Sequence, residues 1–372
     1  AHTLAYDAEI MGDSTVPVSR FGAIGIPTLV LAGAQSPAFL REAAAQAVAS
    51  NRSVAEVAAE HRLGWATVQT CVDELADLVL VEPEPTPVLG IDETRRGKPR
   101  WEQDQVAGRW VRVDRWDTGF VDLTGEQGLL GQASGRTSAT VTDWLTARGE
   151  QFRAAVRYVV IDPAAAYRAA ITTDLLPNAA LVVDHFHLVK LANDTITAVR
   201  RRVTWQLRNR RGRKYDPEWA NRRRLLTGWE RLRPNVFTKM WNDLQHHDPT
   251  GQILAAWIAK EELRTLLASA AQHAAPHVIR QRLHDFYAWC ASTNIPEVHR
   301  LAATIETWWP PTLLFLQTRL TNARTEGINR VIKGVGRRAC GFRNPVNHRR
   351  RVRLVCTRRQ RRTPAMNRLK PC

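Results

Sequence analysis

Residues 158–190 read YVVIDPAAAYRAAITTDLLPNAALVVDHFHLVK. The run Tyr158-Val-Val-Ile stops at Asp162, and Ala180-Leu-Val-Val stops at Asp184. Between them lies a segment of helical composition that Pro177-Asn178 closes. Two wholly apolar strands around one helix make a βαβ unit whose parallel strands are buried on both faces. Parallel neighbours bring their carboxyl ends to one edge, where open α/β sheets bind ligands. Val88-Leu-Gly-Ile-Asp92 repeats the pattern upstream. Three strands, each ending in an aspartate at the same edge, point to a metal site.

The bulk properties fit that reading. The chain has 372 residues, 44% of them hydrophobic, and a formal net charge of +17. So large an excess of cations points to a polyanionic partner, with nucleic acid foremost because binding releases the counterions condensed on phosphates. No apolar stretch is long enough to cross a bilayer, and no signal-peptide pattern opens the chain. The cysteines (Cys71, Cys290, Cys340, Cys356, Cys372) include no C-x-x-C pair, so no zinc ribbon or dithiol redox site is readable; an odd, scattered set suits a reducing cytoplasm.

Upstream of the strands, residues 1–45 stand apart. MGDSTVPVSRF…IPTLVLAGAQSP resembles a strand-turn-helix segment of α/β-hydrolases, but no G-x-S-x-G elbow occurs anywhere, so the segment reads as a remnant. Residues 46–81 predict a helix-turn-helix. Ser53 and Glu56 form a capping box, Leu63-Gly64 a turn, and Ala66 onward a second helix on which Thr67 and Gln69 could reach DNA. Glu82-Pro-Glu-Pro-Thr-Pro is a stiff linker, after which residues 82–190 form the first part of a catalytic sheet, including a hairpin over 116–132. Residues 191–318 are a tryptophan-rich helical stretch carrying Arg200-Arg201 and Arg210-Arg211. The tryptophans suit a helical core, and the arginines suit phosphate. Over 319–345 a last helix places Glu326, Asn329, Arg330 and Lys333 on one face and Ile328, Val331, Ile332 and Val335 on the other. Arg343 follows as a further DNA-contact candidate, and 346–372 reads as a basic tail, either solvated or touching DNA.

Aspartates on adjacent strands, about 4.8 Å apart, can share divalent metal, and a glutamate from a later helix can complete the set. Hard oxygen ligands favour Mg²⁺ or Mn²⁺, with two ions suiting phosphoryl transfer. Clustered carboxylates without a cation repel and raise one another's pKa.

Taken in order, GIDETRRGKPRW, VIDPAAAYRAAI, VVDHFHLVKLAN, TNARTEGINRVIK and GFRNP resemble the DDE transposases of the ISL3 insertion-sequence family. The resemblance implies an RNase H-like mixed α/β core interrupted by a helical insertion and preceded by a helix-turn-helix. It further implies metal-dependent DNA cleavage and strand transfer, with DNA ends and target as partners, a homo-oligomer on DNA, and a bacterial cytoplasmic setting. The family's acids fall on Asp92, Asp162 and Glu326. Asp184 is the alternative second acid, although the RNase H-like strand order favours Asp162. Glu93, His185 and His187 are supporting residues, and Arg330 and Lys333 are phosphate-contact candidates. Two features depart from the family: the N-terminal zinc module is replaced by the hydrolase-like segment, and Pro163-Ala-Ala-Ala follows Asp162. Both fit an alternative, a truncated and inactive copy that only binds DNA.

Overall fold

The computed structural model describes residues 46–48 and 50–357. The hydrolase-like segment and Arg358 to Cys372 lie outside the described residues.

A short pair of helices opens the described chain. Helix α1 (Val54–Glu60) starts at the Ser53/Glu56 capping box, with the Glu56 backbone N–H donating to Ser53 Oγ at 3.1 Å. Helix α2 (Trp65–Val79) follows the Gly64 turn and buries Val68, Val72 and Ala76 against α1 and the helical residues 46–48.

The central sheet has five strands, in the order β5-β4-β1-β6-β7. Strands β1 (Val88–Arg95), β4 (Trp116–Asp122) and β5 (Leu129–Ser134) form an antiparallel meander, while β6 (Tyr158–Ile161) and β7 (Ala180–Val183) run parallel to β1. This is the RNase H-like arrangement. Side chains alternate as a two-sided sheet requires: Phe120 stacks on Trp144 of α3 (Ser138–Thr146) at 3.8 Å, whereas Val121 enters a separate cluster on the opposite face. Helix α4 (Glu150–Ala155) leads into β6, and α5 (Ala165–Ile171) makes the crossover to β7.

Two strands were not expected. β2 (Arg100–Gln103) and β3 (Trp110–Val113) pair as a separate two-stranded ribbon inserted between β1 and β4. Strand β1 also does not stop at Asp92; β4 pairs with it as far as Arg95.

Helix α6 (His185–Arg208) leaves β7 and carries the chain into the helical insertion. It buries Leu188, Ala192, Ile196, Val199 and Val203, a stripe at three- and four-residue spacing. The stripe lies against α9 (Gln252–Ala268), which is buried along most of its length. Helices α7 (Pro217–Ala220), α8 (Pro234–His247), α10 (Pro276–Ser292), α11 (Pro296–Thr307) and α12 (Trp309–Thr318) complete the layer, and α12 returns to cover β7. Arg202 of α6 clamps Glu297 of α11 through two hydrogen bonds of 2.7 and 2.9 Å.

Helix α13 (Ala323–Arg338) lies on β1 and β4. Its buried face is Thr325, Ile328, Asn329, Ile332 and Val335. The expected division of this helix is therefore corrected at two positions: Asn329 turns inward, and Val331 is exposed. Asn329 borders both faces, and a hydrogen bond to Asp92 draws it in.

The expectation of a solvated tail is also corrected in its first part. Pro345–Cys356 forms helix α14, begun by Asn344 as N-cap with Pro345 at the first position. One side joins Leu354 to the α1–α2 bundle, while Val352 and Cys356 join Val121, Ile328 and Ile332. Arg350 reaches Asp73 and Asp77 of α2 at 3.2 Å each. Among the described residues no helix is long and apolar enough to span a membrane, and Cys71, Cys290 and Cys340 are free thiols.

Candidate active site

The registers fix where the aspartates meet. Ile91 pairs with Ile161, and Ile161 with Val183, so Asp92, Asp162 and Asp184 follow one another across β1, β6 and β7 at one edge. The apolar strands hold this alignment because a one-residue slip would turn each buried side chain to the wrong face.

Helix α13 is fitted closely against β1. A Cβ added at Gly90 would lie 2.5 Å from Thr325 Oγ1 and 2.9 Å from Leu123 Cδ2. Asn322 Nδ2 donates to the Ile91 carbonyl at 3.4 Å, and Asn329 Nδ2 donates to Asp92 Oδ2 at 2.6 Å. Glu326 is half-buried and sits four residues after the first of these and three before the second, on the same helix face. Its neighbours one turn away on either side thus touch the end of β1. Neither asparagine was singled out as a site residue from the sequence; the signal was their i, i+4, i+7 spacing with Glu326.

Asp92 carries two hydrogen bonds, from Asn329 and from the Glu93 backbone N–H at 2.7 Å. Burial, reinforced by the nearby Asp162 charge, still pushes its carboxyl up to about 7. Asp162 Oδ2 lies 2.9 Å from His187 Nε2, and this hydrogen bond holds the imidazole above its usual range. Asp162 Oδ1 and Asp184 Oδ2 are buried with no hydrogen-bond partner. Asp184 is fully buried and also caps α6, its Oδ1 accepting from the Phe186 N–H at 3.3 Å. Donor atoms of Asp162, Asp184 and His187 all lie within 4.8 Å of one another. Carboxylates left partly unsatisfied beside an imidazole, with a neighbouring acid pushed toward neutrality, have the chemistry of a divalent-cation site, so the residues present fit such an ion.

The supporting residues separate. His187 joins Asp162, whereas His185, with Nδ1 3.3 Å from Asp184 Oδ1, stacks on Phe315 at 4.6 Å and helps hold α6 to α12. Glu93 follows Asp92 on the opposite face of β1, 4.0 Å from Arg136. The DNA-contact candidates separate in the same way. Thr67, Arg201, Arg211, Arg330, Lys333 and Arg343 are exposed. Gln69 and Arg200, each 9% exposed, belong to helix faces that pack inward and are corrected to interior residues. Arg210 is held by Asp216 through hydrogen bonds of 2.7 and 3.0 Å.

An RNase H-like sheet with acids aligned on adjacent strands and a helix clamped beside them defines a protein of the DDE class. The family described as "Transposase", the ISL3 group of that class, matches residues 89–352, and the chain belongs to it. The transposase for insertion sequence element IS1557 of Mycobacterium tuberculosis is 26% identical over 295 residues, 76% of this chain and 61% of that protein. The transposase for insertion sequence element IS1001 of Bordetella parapertussis is 26% identical over 308 residues, 82% of this chain and 70% of that protein. The chain thus spans about three fifths of the length of the first of these relatives. A chain of the Drosophila P element transposase strand transfer complex aligns with 95% of this chain and 97% of its own at 12% identity, with a TM-score of 0.44.

Proposed function

We propose that the chain is a transposase that cuts DNA at the ends of an insertion sequence and joins the freed 3′-hydroxyl to target DNA. Asp92, Asp162 and Glu326 are the acids, and Mg²⁺ or Mn²⁺ the cofactor. The observation that supports this most is the in-register meeting of Asp92 and Asp162 beneath α13, with Glu326 between the two asparagines that touch β1. When bound, divalent ions supply Lewis-acid activation of the attacking oxygen and neutralise charge on the phosphate. The chain's part is to hold the carboxylates at the sheet edge. Asn329 fixes the rotamer of Asp92, and His187 fixes that of Asp162. Asp184, one strand further out and engaged as a helix cap, is the less suited second acid. Arg330 and Lys333, exposed on α13, are suited to phosphate, and the partners are element ends and target DNA in a bacterial cytoplasm, engaged by a homo-oligomer.

The test uses labelled duplexes taken from the DNA flanking the reading frame, with Mn²⁺ or Mg²⁺. Cleavage and strand transfer are expected for the wild type and lost in Asp92→Asn, Asp162→Asn and Glu326→Gln. Undiminished cleavage in these variants would overturn the assignment. Salt-sensitive binding by the wild type without any cleavage would instead identify an inactive, DNA-binding remnant.

A further inference from the structure

Among the described residues, the ribbon β2–β3 pairs with no other strand. Every residue of both strands is exposed, Trp101 is 66% and Trp110 65% exposed, and Val106 at the tip is 98% exposed. A lone two-stranded hairpin is marginally stable in water, and two bare indoles on it call for an occupant.

The ribbon is nevertheless aimed by its base. The Arg96 N–H donates to the Arg115 carbonyl at 2.7 Å, Arg95 pairs with Asp114 at 3.1 Å, and Arg96 pairs with the buried Asp117 at 3.3 Å. At the tip, Asp104 Oδ1 accepts from the Val106 and Ala107 N–H groups at 2.9 and 3.0 Å, and Gly108 (φ +64°) closes the turn. The base grows out of β1, three residues beyond Asp92, which is about 10 Å of extended chain. The ribbon therefore projects from the edge that carries the acids.

Its register sorts the side chains. Trp101 faces Arg112 and Gln103 faces Trp110, so these four share one face. Arginine and glutamine are the side chains that pair bidentately with guanine and adenine edges, and a two-stranded ribbon fits the major groove of B-DNA. Residues 95–115 carry seven Lys and Arg against three Asp and Glu. That excess suits phosphates and disfavours the equally basic ribbon of a second copy.

We infer that β2–β3 is a DNA-contacting ribbon that lays its Trp101–Arg112–Gln103–Trp110 face into the duplex next to the reaction site. This deepens the proposed function and rests on DNA being the partner.

The full chain is tested without added metal, with EDTA, on a fluorescein-labelled random-sequence duplex. Val106→p-benzoylphenylalanine is expected to photocrosslink to DNA. Trp101→Ala/Trp110→Ala is expected to weaken binding about tenfold or more through loss of the ribbon's two largest contact side chains. Replacing Lys98, Arg100 and Arg109 with Gln is expected to lower the salt slope by roughly one per residue. The melting temperature should hold, since none of these side chains enters the core. Crosslinking only to a second copy of the chain, or binding unchanged in the tryptophan variant, would overturn the inference. Cleavage with Mn²⁺ is read separately on the wild type: crosslinking by the Val106→p-benzoylphenylalanine variant with no cleavage by the wild type sinks the catalytic reading and leaves the ribbon standing, and the converse result sinks only the ribbon.

Discussion

Gly90→Ala should damage activity out of proportion to its size. The new methyl would sit 2.5 Å from Thr325 Oγ1, 2.9 Å from Leu123 Cδ2 and 3.0 Å from Asn322 Oδ1. Thr325 and Asn322 are buried and short, so neither can swing a flexible end aside. Restoring contact to about 3.5 Å requires α13 and β1 to part by roughly 1 Å. Overpacking of this kind costs about 1–3 kcal/mol, or roughly 2–4 °C of melting temperature per kcal/mol for a core of this size. The functional loss is larger, because a shift of about 1 Å in a reacting constellation costs on the order of 100-fold, and the helix that shifts bears Glu326. Thermal unfolding and Mn²⁺-dependent cleavage are measured on Gly90→Ala, Thr325→Ala and the double variant. Thr325→Ala removes the nearest obstacle, so the double variant should recover part of both losses, giving a non-additive cycle. Wild-type cleavage by Gly90→Ala, or strictly additive losses in the pair, would refute the reasoning.

Three other outcomes follow from the structure. Asp184→Asn keeps a competent helix cap, so it should fold normally and retain cleavage if Asp162 is the second acid, whereas Asp184→Ala should lose about 1 kcal/mol of stability in thermal unfolding. His348 is buried, and burial, with Arg96, Arg349 and Arg115 nearby, lowers its pKa to about 4; Asp117, 4.0 Å away, is the acid that faces it. Between that value and an unfolded pKa of about 6.5 the unfolded chain binds the extra proton, so stability falls as pH drops through the window, by about 3 kcal/mol in full. His348→Asn should flatten that part of the pH–stability curve in urea titrations. Arg202→Ala should strand the buried Glu297 and cost about 3 kcal/mol, and Arg202→Ala/Glu297→Gln should recover much of it in the same titration.

What could be read ahead of the structure follows from where apolar side chains go. Strands β6 and β7 are buried on both faces, so they appear as unbroken apolar runs, and their terminal aspartates mark the sheet edge at once. The ribbon β2–β3 left no such trace. RWEQ and WVRV face water on both sides, and no core imprints a period on them. Helix α14 was obscured for another reason. Its inward residues His348, Val352 and Cys356 recur at intervals of four, but arginines between them made the segment look like a charged tail. Gln69, Arg200 and Asn329 illustrate a third limit, since a polar side chain on a helix is buried or exposed according to what packs against it. The aspartates at the strand ends and His187 beside them could be marked as candidates from the sequence; that Asn329 bonds Asp92 and Asn322 bonds the end of β1 depended on contacts between segments remote in sequence.

The bridging role of α14 bears on how the molecule is made. The ribosome delivers α1 and α2 before the acids, and residues 345–356 after every other described element. Until that last helix emerges, Leu354 cannot complete the small N-terminal cluster, and the sheet lacks Val352 and Cys356 on its outer face. A nascent or prematurely released polypeptide would hold every acid and both N-terminal helices, yet leave them unfastened. Fastening the α1–α2 pair to the sheet through this helix therefore waits on residues 345–356.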